Sequence, residues 1–408
     1  MPPGRRLSAV EEFVARTGTP VVLGATVHGP LDTDALAHAV RRLCDRHPIL
    51  THRITRDGSR HRFTPAPDQP PPHLRLTTPD ERFDAPFAPG DPLLRATLAP
   101  QPDGTHRFAM AVHHAVSDGV AAQSLASLLW QTYTARVTGG PEPTRPFAPE
   151  PHPATDDLLA HRHPPVKVAA WLAGQAVTMA LHRAARLPSR PASPEQGAYL
   201  HTTELTTDQA HGLYRTARRH HTTSSALLCA IVLLAARTQL DRPRRLGLGV
   251  TVGLRACTTP PIPTHHVVTA TSFVPVTIPV GDDDTAASLG PLIDRRFAAA
   301  RATAHAERQA VALRYLLHAP TPIPYTMMLT NMATHRLRLT LPPDLRLTGA
   351  FGYAPPPGPL PAVFVTRVDR TLALHLATPK AWFDAEQAAR LARALDDELT
   401  ASLLRSVG

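Results

Sequence analysis

The apolar run Phe108 to Val112 leads directly into His113-His114-Ala115-Val116-Ser117-Asp118-Gly119. This stretch, FAMAVHHAVSDG, constrains the chain more than any other. A short apolar run bounded by turn-forming residues reads as a buried strand, so the two histidines stand where that strand opens into a loop. Asp118 and Gly119 then supply a carboxylate and a glycine to shape the turn that follows. Histidine is the side chain best able to move a proton near neutral pH. Adjacent histidines alone say little, because the chain has 23 histidines and repeats the pair at His220-His221 and His265-His266. Only the first pair is followed by Asp at the fourth place and then Gly. Read from the residues alone, the pattern fits either a general base on a built loop or two strand-end histidines before an Asp-capped helix.

A chain of 408 residues is long for one core, and two domains, 1–190 and 191–408, are expected. The hydrophobic fraction of 43% suffices to fill them. The formal charge is +10, yet Lys167 and Lys380 are its lysines and arginine supplies the rest. That balance fits the amino-acid usage of a GC-rich genome, and it also fits attraction to an acidic partner such as a carrier protein or coenzyme A. Nucleic acid is not expected, because aromatics are 5% and no basic run is interleaved with them. Cys44, Cys229 and Cys257 are scattered and odd in number, as in a reducing cytosol, with no CxxC pair. The start, MPPGRRLSAVEEF, lacks an apolar signal core. Val166 to Leu181 is too short and too interrupted for a membrane span. These features predict a cytoplasmic monomer.

Element types alternate along the first half. Val21–Val27 reads as a strand, and Asp32 or Thr33 as the cap of a helix to about Asp45 that His47-Pro48 stops. Ile49–Ile54 reads as a strand with its return through Phe63, and Leu93–Leu98 pairs with Arg107–Val112 around Asp103-Gly104. After Gly119 an amphipathic helix runs from Val120 to about Val137. Residues 138–165 are rich in Pro, Gly, Glu and His and read as a linker or surface excursion. A helix from Val166 to Leu187 leads to the second half. There Thr207–His220 and an apolar, buried Ser224–Gln239 are helices. Strands follow at Leu246–Val252, Ser272–Val280, Tyr325–Asn331, Ala362–Val368 and Thr371–Ala377, and a final helix runs from Asp384 through Leu404.

Other motifs carry little. Gly247-Leu248-Gly249 with Gly253 lacks dinucleotide-loop spacing. There is no P-loop, no HExxH and no GxSxG elbow. His161-Arg162-His163 and His265-His266 lack the helical spacing and carboxylate partner of a metal site, so none is expected. The chemistry rests on one motif.

HHAVSDG matches the HHxxxDG signature of the chloramphenicol-acetyltransferase-like superfamily, and the resemblance extends over the chain. LSAVEEF resembles the family's opening segment, and VHGPLDTDALAHAVRRLCDRHPILTHRI its first strand-helix-strand unit. Gly253-Leu254-Arg255 is similar to the arginine-containing segment of the second half, and WFDAEQAARLARALDDEL to the last helix. Within the superfamily the chain is most similar to polyketide-associated acyltransferases and stand-alone condensation enzymes. After Arg255 it departs from the pattern, with His265-His266-Val267-Val268-Thr269-Ala270-Thr271 where the family shows a glycine-containing stretch.

The resemblance implies an α+β fold of two sandwich halves in a V around a central tunnel, with the histidine loop at its middle. It implies His114 as the catalytic base, His113 as a loop-orienting neighbour, and Asp118 as a structural partner of Arg255. Gly119 would permit a tight turn before the helix. Asn331, a polar residue ending an apolar strand, is a candidate oxyanion contact. The implied reaction is acyl transfer from coenzyme A or a phosphopantetheinyl carrier protein to a small-molecule hydroxyl or amine, with no bound cofactor, in lipid or natural-product assembly. Two other readings stand beside it: a free-standing condensation enzyme forming an amide, and a silent module that only docks a carrier protein.

Overall fold

The computed structural model describes residues 4–144, 151–242, 244–316, 325–356 and 358–404. Residues 145–150, part of the Pro-rich stretch expected to be a linker, lie outside these. The chain divides into two compact units, each mixing helices and sheet. The first comprises Met1–Leu159, Arg255–Ala270 and His335–Pro355, and the second Ala160–Leu254, Thr271–Thr334 and Pro356–Gly408. This division differs from a single cut after residue 190. Two later segments return to the first unit, one to bind the histidine loop and one to complete its sheet.

In the first unit the elements are α1 (Ala9–Ala15), β1 (Pro20–His28), α2 (Thr33–Arg46), β2 (Arg53–Asp57), β3 (Arg60–Thr64), β4 (Leu74–Leu76), β5 (Leu94–Pro100), β6 (Thr105–His113), α3 (Gly119–Thr138) and α4 (Thr155–Ala160, which reaches the boundary). Those that follow are α5 (Pro165–Leu181), β7 (Ala198–Leu205), α6 (Thr207–Arg219), α7 (Ser224–Arg237), β8 (Arg244–Gly253), β9 (Thr271–Val280), α8 (Ala286–Ala302), α9 (His305–Leu316), β10 (Met327–Asn331), β11 (Arg346–Tyr353), β12 (Ala362–Val368), β13 (Thr371–Pro379) and α10 (Ala385–Leu404).

The sheet of the first unit runs β11-β1-β6-β5-β4 among the described residues. Antiparallel pairing sets Val22 of β1 between Tyr353 of β11 and Ala111 of β6, and places His113 opposite Pro20. Gly24 is required by this packing, because a Cβ there would lie 2.0 Å from the Phe351 ring. Asp32, one of the two residues expected to cap α2, does so by accepting from the Ala35 amide at 2.9 Å. The expected strand at Ile49–Ile54 begins only at Arg53. Pro48–Thr51 instead forms a 3₁₀ turn that buries Ile49 and Leu50, and the Pro at its start fixes φ for such a turn. The expected amphipathic helix after Gly119 is covered on most sides, with Leu128, Leu129, Trp130, Thr132 and Tyr133 all buried. Trp130 meets Phe108 and Tyr133 edge-on at 5.7 and 5.5 Å, the favoured arrangement for aromatic quadrupoles. Gly139, in the left-handed region at φ 70°, ends this helix.

In the second unit the sheet order is β7-β13-β12-β10-β8-β9 among the described residues. β10 runs parallel to β8 and β12, while the remaining pairs are antiparallel. Successive side chains of a strand alternate faces; one face of β10 is buried through Met327 and Leu329, while Met328 and Thr330 on the other face are partly buried. α7 is buried continuously from Ala226 to Arg237 and packs on β8, β9 and β10 as well as on α6, α8 and α10. Such a helix is apolar all round because it has no solvent face.

Candidate active site

Three chain segments of the first unit meet at the end of β6. The His113 amide donates to the Leu93 carbonyl at 2.9 Å, and the His114 amide to the Thr19 carbonyl at 2.9 Å. The ladder thus continues past the strand and fixes both histidines before the chain turns. The turn closes through the Val116 amide, which donates to the His113 carbonyl at 3.0 Å. From the other side the Thr269 hydroxyl donates to the His114 carbonyl. The backbone of His114 is therefore held at both its N–H and its C=O.

His113 is buried, with its ring 5.1 Å from that of Phe87. Its Nδ1 accepts from the Ala115 amide at 3.1 Å, which assigns the ring proton of the neutral form to Nε2. Burial, the His114 ring and the Arg95 guanidinium together push it down to about 3. His113 is therefore a neutral, loop-orienting acceptor.

His114 keeps part of its surface open, while its Nδ1 is buried with no well-aligned hydrogen-bond partner among the described residues. Burial lowers its affinity for a proton; nearby backbone carbonyls of His114 and Ser117 and the Asp118 charge oppose that shift without reversing it. The imidazole is neutral at pH 7 and able to accept a proton.

Asp118 does not share a hydrogen bond with either histidine. It is 1% exposed, and its carboxylate accepts four hydrogen bonds from three residues. Oδ1 accepts from Arg255 Nη2 at 2.9 Å and from the Ala121 amide at 2.8 Å, and Oδ2 from Arg255 Nε at 3.2 Å and the Ala270 amide at 3.1 Å. The residue thus caps α3 and anchors Arg255 at once. Arg255 is buried too. Its remaining N–H groups donate to the carbonyls of Pro263, His266 and Val268 at 2.9, 3.2 and 3.1 Å. A fork–fork pair with every lone pair and proton matched is the geometry in which a buried ion pair holds. The 263–270 segment, where the sequence departs from the family pattern, wraps this arginine and presents Thr269 to His114.

The structure brings His113, His114, Asp118, Gly119 and Arg255 together within the first unit. Gly119 is the first residue of α3 and lies in helical rather than left-handed backbone. The tight turn expected of it falls instead on the residues after His114, closed by the His113–Val116 hydrogen bond. Asn331 ends β10 in the second unit, where its Nδ2 donates to Ser225 Oγ at 3.0 Å and its Oδ1 accepts from the Ala333 amide at 3.1 Å. Its amide thus braces the strand end through Ser225 and Ala333, a use the expected oxyanion contact did not foresee. Thr19, Thr269 and Ala270 are the supporting residues that the sequence did not point to.

The fold is that of solved acyltransferases and condensation domains, and the loop between β6 and α3 carries the HHxxxDG pattern. Residues 194–360 match the family model described as the C-terminus of phthiocerol/phthiodiolone dimycocerosyl transferase. A phthiocerol/phthiodiolone dimycocerosyl transferase of Mycobacterium ulcerans (strain Agy99) is 26% identical over 353 residues, covering 81% of each chain. The structure of polyketide synthase associated protein 5 from Mycobacterium tuberculosis superposes with a TM-score of 0.77 at 20% identity, covering 98% of this chain and 99% of that one. The trichothecene 15-O-acetyltransferase TRI3 of Fusarium sporotrichioides superposes with a TM-score of 0.74 at 11% identity, covering 98% and 95%.

Proposed function

We propose that this protein is an acyltransferase of lipid assembly that moves an acyl group from a thioester to an acceptor hydroxyl, with His114 as general base. The observation that carries the reading is the state of His114: a neutral imidazole, held by its backbone on both sides, beside a saturated Asp118–Arg255 pair. Since Nδ1 is buried, Nε2 is the nitrogen that meets substrate. It accepts the hydroxyl proton as the oxygen attacks the thioester carbonyl. The tetrahedral intermediate then collapses, the C–S bond breaks, and the proton passes from the imidazolium to the departing thiolate. One base suffices because a thiol is a good leaving group. A positioned base of this kind contributes about 10²- to 10⁴-fold, and holding both substrates in line can contribute as much.

The relatives are named as dimycocerosyl transferases and one neighbour as an O-acetyltransferase, which supports a hydroxyl acceptor. Similarity to a polyketide synthase associated protein supports an acyl donor carried on a phosphopantetheine arm, with coenzyme A as the simpler mimic. The test is to offer acyl-coenzyme A and acyl-carrier-protein thioesters with long-chain diols or amines and to identify products by mass spectrometry. Ester formation supports the reading. Amide formation assigns the protein to the condensation reaction, and carrier binding with no transfer from any donor assigns it to docking.

A further inference from the structure

Helix α5 is placed on the surface in an unusual way. It buries Val168, and its indole at Trp171 meets the His305 ring of α9 edge-on at 4.9 Å. Just before it, His163 Nε2 bonds Glu307 of α9 at 2.9 Å. That is the anchored side. On the opposite side Val166, Ala170, Ala173, Val177 and Leu181 follow one another at spacings of three and four, which aligns them along one helix face. All five are exposed, and the three large ones are 74%, 58% and 73% exposed. An ordinary surface helix turns polar residues outward; this one turns its apolar stripe outward.

The charges around the stripe point to what covers it. From Leu158 through Pro194 the chain has no carboxylate; Arg162 and Arg190 pair with Glu307 and Glu195 from outside that stretch, and Lys167, Arg183 and Arg186 flank the helix. Lys167 lies in the first turn, and Arg183 and Arg186 just beyond the last; all three are exposed. A second copy of this chain is a poor fit, because pairing two such helices would bring basic flanks together with no acid to offset them. A surface that is apolar beneath and anionic above meets both features. Among the described residues no helix is long and apolar enough to cross a membrane, so α5 would lie along the surface. We propose that α5 is a monotopic docking helix for an anionic lipid surface. Its apolar stripe would enter the headgroup–acyl boundary, with Lys167, Arg183 and Arg186 on headgroup phosphates.

The test is flotation of the full chain with vesicles of phosphatidylcholine alone or with one part in three phosphatidylglycerol. It reads binding and not turnover, so it stands apart from the reaction proposed above. The protein should float with the mixed vesicles and not with phosphatidylcholine alone, and salt should weaken binding. Val177→Glu/Leu181→Glu should lower affinity by at least about tenfold, because both side chains leave the apolar phase. Arg183→Gln/Arg186→Gln should lower it by roughly thirtyfold. All these residues are exposed, so the melting temperature should not move. Absence of flotation with anionic vesicles, or equal flotation of the Glu pair, overturns the proposal. Self-association or carrier binding that the Glu pair abolishes, without vesicle binding, assigns the stripe to a protein partner and overturns it equally.

Discussion

Asp118→Asn isolates the contribution of the buried ion pair. Asparagine retains one carboxyl-like oxygen, which can still accept from Ala121 and from one arm of Arg255, and it remains a good helix N-cap. The new NH₂ group, however, faces Arg255 Nε and the Ala270 amide, both donors. Two hydrogen bonds become donor–donor contacts, and the buried guanidinium loses its counter-charge. Breaking a buried pair in this way costs about 3–5 kcal/mol. For a cooperative unit of this size each kcal/mol shifts the melting temperature by about 2–4 °C, so a fall of roughly 6–20 °C is expected. Scanning calorimetry of wild type, Asp118→Asn, Arg255→Met and the double variant is the assay. The double variant should be more stable than the summed single effects imply, by at least about 1 kcal/mol, because removing both charges leaves neither one unpaired. A melting temperature within about 2 °C of wild type for Asp118→Asn, or strict additivity in the cycle, would refute the scaffold role.

Thr269→Val removes the donor to the His114 carbonyl at nearly constant volume; a stability loss of about 1 kcal/mol is expected, with a several-fold fall in kcat/KM measured by thiol release. The rate should also report the lowered proton affinity of His114: kcat/KM should stay level as pH falls through about 6.5, the ordinary imidazole value, and decline only below it, so an acid limb starting above that value would contradict the assignment. Stability has its own acid limb. His113, held down at about 3, and His375, held down by burial at about 4, are neutral in the fold and protonate when the chain unfolds. Their contribution is complete above the unfolded value and is lost as pH falls from about 6.5 toward the folded values, by about 1.4 kcal/mol per pH unit for each. Thermal melts across that window check it, and His375→Asn should flatten the limb.

Much of the second unit's sheet was legible because its strands are rich in apolar residues, and α7 because its apolar run is of helical length. β11 was not. Arg346–Tyr353 carries Gly349 and Gly352 and gains its strand character from pairing with β1, more than 300 residues earlier, where Phe351 fills the space that Gly24 leaves. Local propensity holds no trace of such a partner. The same holds for the site. The histidine motif is a local pattern and could be read directly, and Arg255 followed from the family resemblance. Thr269 and the carbonyls of Pro263, His266 and Val268 are ordinary residues whose role comes from where the chain returns. Gly119 and Asn331 show the opposite limit: each has a suggestive residue type, and local backbone and hydrogen bonding put each to another use.

Whether His114 moves the proton is decided by single-turnover thiol release from an acyl thioester, with and without a hydroxyl acceptor, for wild type and His114→Ala. Acceptor-dependent release should fall by about 10²- to 10⁴-fold in the variant, while thioester binding and the melting temperature stay close to wild type. Acceptor-dependent release at the wild-type rate in folded His114→Ala would contradict proton transfer by His114.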